Sequence, residues 1–126
     1  MKLTTLILVA LLCAGCSTWN PETRIEETSF LTLHAVDGFQ TAAIAHTPGT
    51  YEAESAWAMG REPTAGRTAA YFAAVALIHF AVTDYMCSHH APEWLIRTWE
   101  LGGIAWDVRD VTHNYEIGLG PFKVHN

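Results

Sequence analysis

Residues 69–82 read AAYFAAVALIHFAV, and this stretch decides the fold. No charged residue stands between Arg67 and Asp84, and the segment is apolar nearly all round. A helix of that kind is either the central helix of a core or a membrane segment. Because a span needs ~20 apolar residues and this run is shorter, we expect a second helix over 68–86 that is the buried centre of a bundle.

Helix start and stop signals stand on both sides of this segment. Asn20-Pro21-Glu22 combines a capping residue, a first-turn proline and an acidic residue, which predicts a first helix that ends near His46, before Pro48-Gly49. Pro92-Glu93 opens a third helix that should fade near Tyr115. The sequence therefore predicts an all-α fold, a small three-helix bundle.

The connection between the first and second helices is long for so small a domain. Residues 47–67 include Tyr51, Trp57 and Met59, so we expect this segment to be ordered and packed on the bundle. Thr64 is placed to cap the second helix. Trp57 is the best candidate for a contact with a partner protein, since tryptophan is enriched at the energetic centres of interfaces.

The N-terminus has the pattern of an export signal. Met1-Lys2 is followed by the apolar run Leu3–Leu12 and then by Leu12-Cys13-Ala14-Gly15-Cys16-Ser17. This ending resembles the lipobox of bacterial lipoproteins. The resemblance implies that residues 1–15 are removed and that Cys16 carries a thioether-linked diacylglycerol and an N-acyl chain such as palmitate. Residues 16–20 would then be anchor and tether, and residues 21–126 one helical domain.

The same resemblance implies a place in the cell and a chemical context. Ser17 after the cysteine is compatible with the periplasmic face of the outer membrane. Once Cys13 is removed and Cys16 is acylated, Cys87 is the one remaining thiol, so no disulfide is expected within the mature chain. Seven Lys and Arg against thirteen Asp and Glu, with no basic cluster, argue against nucleic-acid binding.

Histidine and aspartate are the residues that could carry chemistry. His34 and Asp37 share a face of the first helix, and His79 lies on the second. At a rise of about 1.5 Å per residue, these three side chains lie at the same height along the axis of an antiparallel bundle. Asp110 and His113 would lie about 15 Å away, so all five cannot form one site. We expect a buried Asp37–His79 pair, joined by His34, that fixes helix register. Asp37 facing solvent and a metal or catalytic site are the alternatives.

The familiar catalytic and metal-binding motifs are missing, so no catalytic residue and no metal ligand is assigned. Three further segments together resemble small bacterial and phage helical proteins, namely Asp37-Gly38-Phe39-Gln40-Thr41, residues 54–60 and Glu62–Arg67. This resemblance implies no particular activity. We expect an envelope lipoprotein that binds or braces another envelope protein without catalysis. The alternatives are a metal-binding or enzymatic protein centred on Asp37 and His79, and an integral membrane accessory subunit that packs through helices rich in alanine and glycine.

Overall fold

A computed structural model of the protein describes residues 18–119. The described chain is all-α, which confirms the predicted class of a small helical bundle. The signal segment 1–15, Cys16 and residues 120–126 lie outside the described residues, so removal of the signal and lipidation stay predictions. The helices, in chain order, are α1 (Pro21–Ala42), a 3-10 turn (Ala43–His46), α2 (Ala56–Met59), α3 (Ala65–Ser88) and α4 (Glu93–Glu116).

Local capping explains where the long helices begin and turn. The Asn20 side chain accepts a hydrogen bond of 2.8 Å from the Thr23 amide, and Thr64 caps α3 in the same way. The α3–α4 turn is closed by His90, whose φ of 54° lies in the left-handed region, and by the Ala91 amide, which donates to the Met86 carbonyl at 2.9 Å. The Asn20 cap confirms the predicted start of α1. Thr64 is the predicted cap of α3, although α3 begins at Ala65, three residues before the predicted Thr68.

The packing order differs from the prediction in one respect. Helix α1 packs along both α3 and α4, whereas α3 and α4 contact each other over a shorter region. The prediction that the second long helix is the buried centre is therefore wrong. Only 22% of the most apolar 18-residue window of α3 is buried, although the mean hydropathy of that window is 1.4. The physical reason is that α3 turns its polar side chains inward, namely Thr68, His79 and Thr83.

Most buried apolar side chains collect at the two ends of the bundle, and Phe30 lies between them. Trp19, Cys87 and Ile96 form a cluster beside the α3–α4 turn. Ile44, Met59 and Leu119, which follow or precede helix ends in the chain, are buried at the opposite end. Between these ends the interior of the described bundle is mainly polar.

The outer surface of the long helices has the opposite character. Exposed positions of α3 are mostly alanine, together with Leu77, Ile78 and Tyr85. Long stretches of the described helices have no exposed charged side chain. These stretches lie between Arg24 and Ala42 on α1, between Arg67 and Ser88 on α3, and between Arg97 and Arg109 on α4. We call this outer surface the apolar belt. Its large exposed side chains are Ile25, Phe39, Leu77, Ile78, Tyr85, Leu101, Trp106 and Val108.

Candidate functional site

Polar side chains fill most of the bundle interior and form successive layers along the bundle axis. On α1 the buried positions recur every three or four residues, the spacing of a helix face that meets two neighbours. Most of them are polar, where a core normally places leucine and valine. The buried polar and charged side chains of the three long helices are Thr23, Glu27, His34, Asp37, Gln40, Thr41, Thr68, His79, Thr83, Glu100 and Asp107.

The layer nearest the α3–α4 turn joins all three long helices. His79 Nδ1 lies 2.9 Å from Glu27 Oε2, and the Thr83 hydroxyl lies 3.0 Å from the same oxygen. The Thr83 hydroxyl is also 2.5 Å from Glu100 Oε1. Thr83 and Glu100 have no exposed surface, and Glu27 is 1% exposed. We call Glu27, His79 and Glu100 the carboxylate–histidine cluster.

This cluster concentrates negative charge in a dry interior. Two carboxylates are buried close together, and burial of an unpaired charge costs several kcal/mol. One hydroxyl carries one proton, so Thr83 can donate to Glu27 or to Glu100 but not to both. At least one proton or one cation must therefore be held in this layer, because two like charges at this separation repel strongly in low dielectric.

Aromatic rings and a glycine fix the position of the His79 imidazole. The ring lies against Phe30 with centroids 3.6 Å apart and against Trp99 at 4.7 Å. A Cβ atom built on Gly103 of α4 would stand 2.9 Å from His79 Nε2. The absence of a side chain at Gly103 therefore lets the imidazole approach the α4 backbone.

The second layer lies one heptad along α1. His34 Nδ1 lies 3.2 Å from Asp107 Oδ1, and both side chains are buried. The His34 ring also packs on Phe72, with centroids 4.7 Å apart. Phe30 separates this layer from the carboxylate–histidine cluster and stacks on both histidines.

The third layer opens toward solvent. Asn114 donates a hydrogen bond of 2.7 Å to Asp37 Oδ1, and the Gln40 amide donates to the Val111 carbonyl at 3.3 Å. A cleft of about 220 Å³ extends from this layer down to His79 and Gly103. Its wall includes three aspartates, namely Asp37, Asp107 and Asp110.

The predicted trio is buried as expected but paired differently. His34, Asp37 and His79 all line the cleft, yet the bonded partners are Asp107, Asn114 and Glu27 in that order. The expected Asp37–His79 pair is therefore replaced. The helix register is the reason: α3 begins at Ala65 and packs so that Phe72 faces Gly38, which brings His79 beside Phe30.

Several site residues were missed by sequence reasoning, namely Glu27, Thr83, Glu100 and Asp107. A signal for them was present. Glu27, His34 and Thr41 follow at intervals of seven, as do Glu100 and Asp107, which is the spacing of one helix face. The pattern is easily overlooked because a search for the buried face normally follows apolar residues.

Trp57, the predicted partner contact, lies on α2 with 84% of its surface exposed. Its ring meets the edge of Tyr71 at 6.4 Å, which attaches α2 to α3. The side chain is thus presented to the outside, and its contact with a partner stays a prediction.

Comparisons with protein-family models, with curated proteins and with solved structures give no match to this chain.

Proposed function

We propose that this chain is a lipid-anchored protein of the bacterial envelope whose three long helices lie in the bilayer. One observation carries the proposal: the described bundle is polar inside and apolar outside along the middle of its helices. In water such an arrangement exposes apolar surface and buries charge, and both are unfavourable. In lipid the same arrangement is favourable, because intramembrane charges face a bundle interior.

The helix lengths suit this environment. Helix α1 has 22 residues and α3 and α4 have 24 each. At about 1.5 Å per residue they extend about 33–36 Å, against about 30 Å for the hydrocarbon core of a bilayer. Within the described long helices the exposed charged side chains lie toward the ends, with Arg109 two turns before the end of α4. Long arginines can reach the interface from such positions.

Aromatic side chains are arranged in a way typical of membrane interfaces. Tyr85 and Trp94 are exposed beside the α3–α4 turn, and Tyr115 is exposed at the opposite end of α4. Aliphatic Leu77 and Ile78 lie between these two levels, near the middle of α3.

Hydropathy identifies one helix where the packing suggests three. Among the described residues, only α3 is long and apolar enough to cross a membrane by composition. Helices α1 and α4 have lower hydropathy because their charged residues include Glu27, Asp37, Glu100 and Asp107, and all four of these are buried inside the bundle. A soluble core helix also passes a hydropathy test, but such a helix is mostly buried, whereas only 22% of the apolar window of α3 is buried in the described bundle.

The lipid predicted on Cys16 supports the same location. The anchor would lie five residues before Pro21, where α1 begins, so lipid and bundle would meet the membrane together. The protein would thus be located in the envelope, as the sequence predicts, with its helices inside the bilayer and not at the membrane surface. The role we propose is non-catalytic, with the exposed Trp57 and the connection around it offered to an envelope partner.

Thiol protection tests the location in membranes that contain the full-length protein. Ile78→Cys and Leu101→Cys place thiols in the apolar belt, and Trp57→Cys places a matched exposed thiol outside it. Maleimides react with thiols in water and not in lipid. We expect the two belt thiols to resist alkylation until the protein is denatured and the thiol at position 57 to react. Rapid reaction at position 78 in intact membranes would reject the proposal. The wild-type protein measures the background from Cys87, which is buried.

A further inference from the structure

The carboxylate–histidine cluster has the composition and spacing of a metal site. One ligand atom from each of Glu27, His79 and Glu100 can be chosen so that all lie within 4.8 Å of one another. In a tetrahedral zinc site, ligand atoms about 2.0–2.2 Å from the metal are about 3.4 Å apart. The distance of 2.9 Å between His79 Nδ1 and Glu27 Oε2 and the 4.8 Å limit fall on either side of that value. The ligand atoms are therefore close to the spacing of atoms around a bound ion.

Unpaired buried oxygens provide a second, independent observation. Glu27 Oε1 and Glu100 Oε2 are fully buried and have no hydrogen-bond partner within residues 18–119. Buried polar atoms are nearly always paired in folded proteins, and each unpaired one normally has a specific reason. Here both belong to the same cluster, and both belong to carboxylates, whose natural partners in a dry interior are cations.

Charge balance agrees with a divalent ion. Two ionised glutamates and a neutral histidine carry a charge of −2, which one divalent cation cancels. A neutral site can be buried at far lower cost than two unpaired carboxylates. The imidazole nitrogen favours a transition metal over Mg²⁺ or Ca²⁺, which prefer oxygen ligands throughout.

We propose that Glu27, His79 and Glu100 bind one divalent first-row transition-metal ion of the Zn²⁺ class. His79 contributes Nδ1, and each glutamate contributes at least one oxygen. Thr83 donates its one hydroxyl hydrogen to one of the two carboxylates and orients it, as groups hydrogen-bonded to metal ligands commonly do. The site depends on contacts inside the bundle, so it holds whether the apolar belt meets lipid or protein.

The cleft connects one member of the cluster, His79, with the acidic outer layer. It leads from the layer of Asp37 and Asp110, past Asp107, to His79. Three aspartates along one wall attract cations and raise their local concentration. His79 therefore lies at the inner end of an acidic cleft, which a purely structural polar layer does not need.

Metal titration of the purified full-length protein tests the site. After chelator treatment, the protein is titrated with Zn²⁺ by calorimetry and with Co²⁺ by visible spectroscopy, which reports coordination by nitrogen and oxygen. We expect one tightly bound equivalent. Glu27→Gln, His79→Gln and Glu100→Gln should each weaken binding by more than about 100-fold, because loss of a ligand exceeds the 10–100-fold typical of supporting groups. Glu26→Gln, which alters a mostly buried carboxylate beside Glu27 that pairs with Arg97 outside the cluster and the cleft, is the matched control and should keep the equivalent.

Two results would overturn the proposal. One is wild-type protein that takes up less than a tenth of an equivalent of either metal. The other is binding that survives in the three ligand variants and disappears in His89→Ala/His90→Ala, which would locate an adventitious ion at the exposed turn. Folding is checked separately, because Zn²⁺ should raise the unfolding temperature of wild-type protein and leave that of a folded ligand variant unchanged. If a ligand variant does not fold, the wild-type cobalt spectrum and stoichiometry still decide the outcome.

Discussion

Gly103 and His79 are in closer contact than any side chain at position 103 would allow. A Cβ atom there would stand 2.9 Å from His79 Nε2 and 2.9 Å from Phe30 Cδ2. Both are ring atoms held in a packed interior, so neither can move without disturbing its neighbours. The neighbouring Gly102 faces outward and has no atom within 4 Å of such a Cβ.

This difference makes the two glycines a matched pair. Gly103→Ala should destabilise the bundle by about 1–3 kcal/mol, the usual cost of overpacking. Gly102→Ala should be neutral or stabilise the helix by up to about 1 kcal/mol. Thermal unfolding in detergent, followed by helical circular dichroism, measures both. Equal effects of the two substitutions would show that the imidazole does not pack against α4.

The buried pair His34–Asp107 predicts strong coupling between two positions. His34→Leu alone leaves Asp107 buried without its partner and should destabilise the protein by about 3–5 kcal/mol. The double variant His34→Leu/Asp107→Leu should recover most of this loss, since an apolar pair replaces a buried ion pair at little cost. Unfolding free energies of both singles and the double complete the cycle. Additive losses would contradict the contact, and the exposed His113→Ala serves as control with an effect within about 0.5 kcal/mol.

Two buried threonines of α3 should respond in opposite ways. Thr83 bridges Glu27 and Glu100, so Thr83→Val removes a hydrogen bond between buried groups and should destabilise by about 1–3 kcal/mol. Thr68 is 2% exposed, and its hydroxyl has no partner in the described part of the chain. Thr68→Val should therefore be neutral or stabilising. Denaturation curves of the two variants at equal protein concentration test this, and a larger loss at position 68 would refute the layer as described.

The apolar belt predicts a strong position dependence for a new charge. Ile78 and Ile25 are similarly exposed, at 61% and 68%, but Ile78 lies at the middle of α3 and Ile25 lies beside Arg24 near the start of α1. Ile78→Lys should disfavour membrane insertion by about 2.5–3.5 kcal/mol, the cost of a lysine at a helix centre. Ile25→Lys should have little effect. Measuring the membrane-inserted fraction of each variant distinguishes them, and identical fractions would count against a bilayer around α3.

The helices themselves were predictable because their boundaries depend on local chemistry. Asn20, Pro21 and Thr64 act within one turn, so the sequence alone locates the starts of α1 and α3. The register was less accessible. The register depends on how Phe72 packs on Gly38, a contact between residues 34 positions apart in the chain. Relative to the predicted register, α3 is shifted by about one turn along α1, so His79 and Asp37 bond to Glu27 and Asn114 and not to each other.

The choice of inward face could not be read from the apolar residues. On α3 the apolar pattern predicts that these residues face the core, whereas the structure buries His79 and Thr83 and exposes Leu77 and Ile78. Sequence reasoning that assumes water outside assigns apolar residues to the interior. The polar spacing from Glu27 to His34 was the informative pattern, and it points to a bundle whose interior, not its surface, holds the charge.

Site-specific photo-crosslinking tests the central claim most directly, because it identifies the neighbours of the apolar belt. A photoreactive phenylalanine analogue is placed at Ile78 or Leu101 of the full-length protein in living cells, with Trp57 as the position outside the belt. The account predicts crosslinks from positions 78 and 101 to membrane lipid, and none to lipid from position 57. Crosslinks from both belt positions to a second copy of the chain, with no lipid adduct, would contradict it.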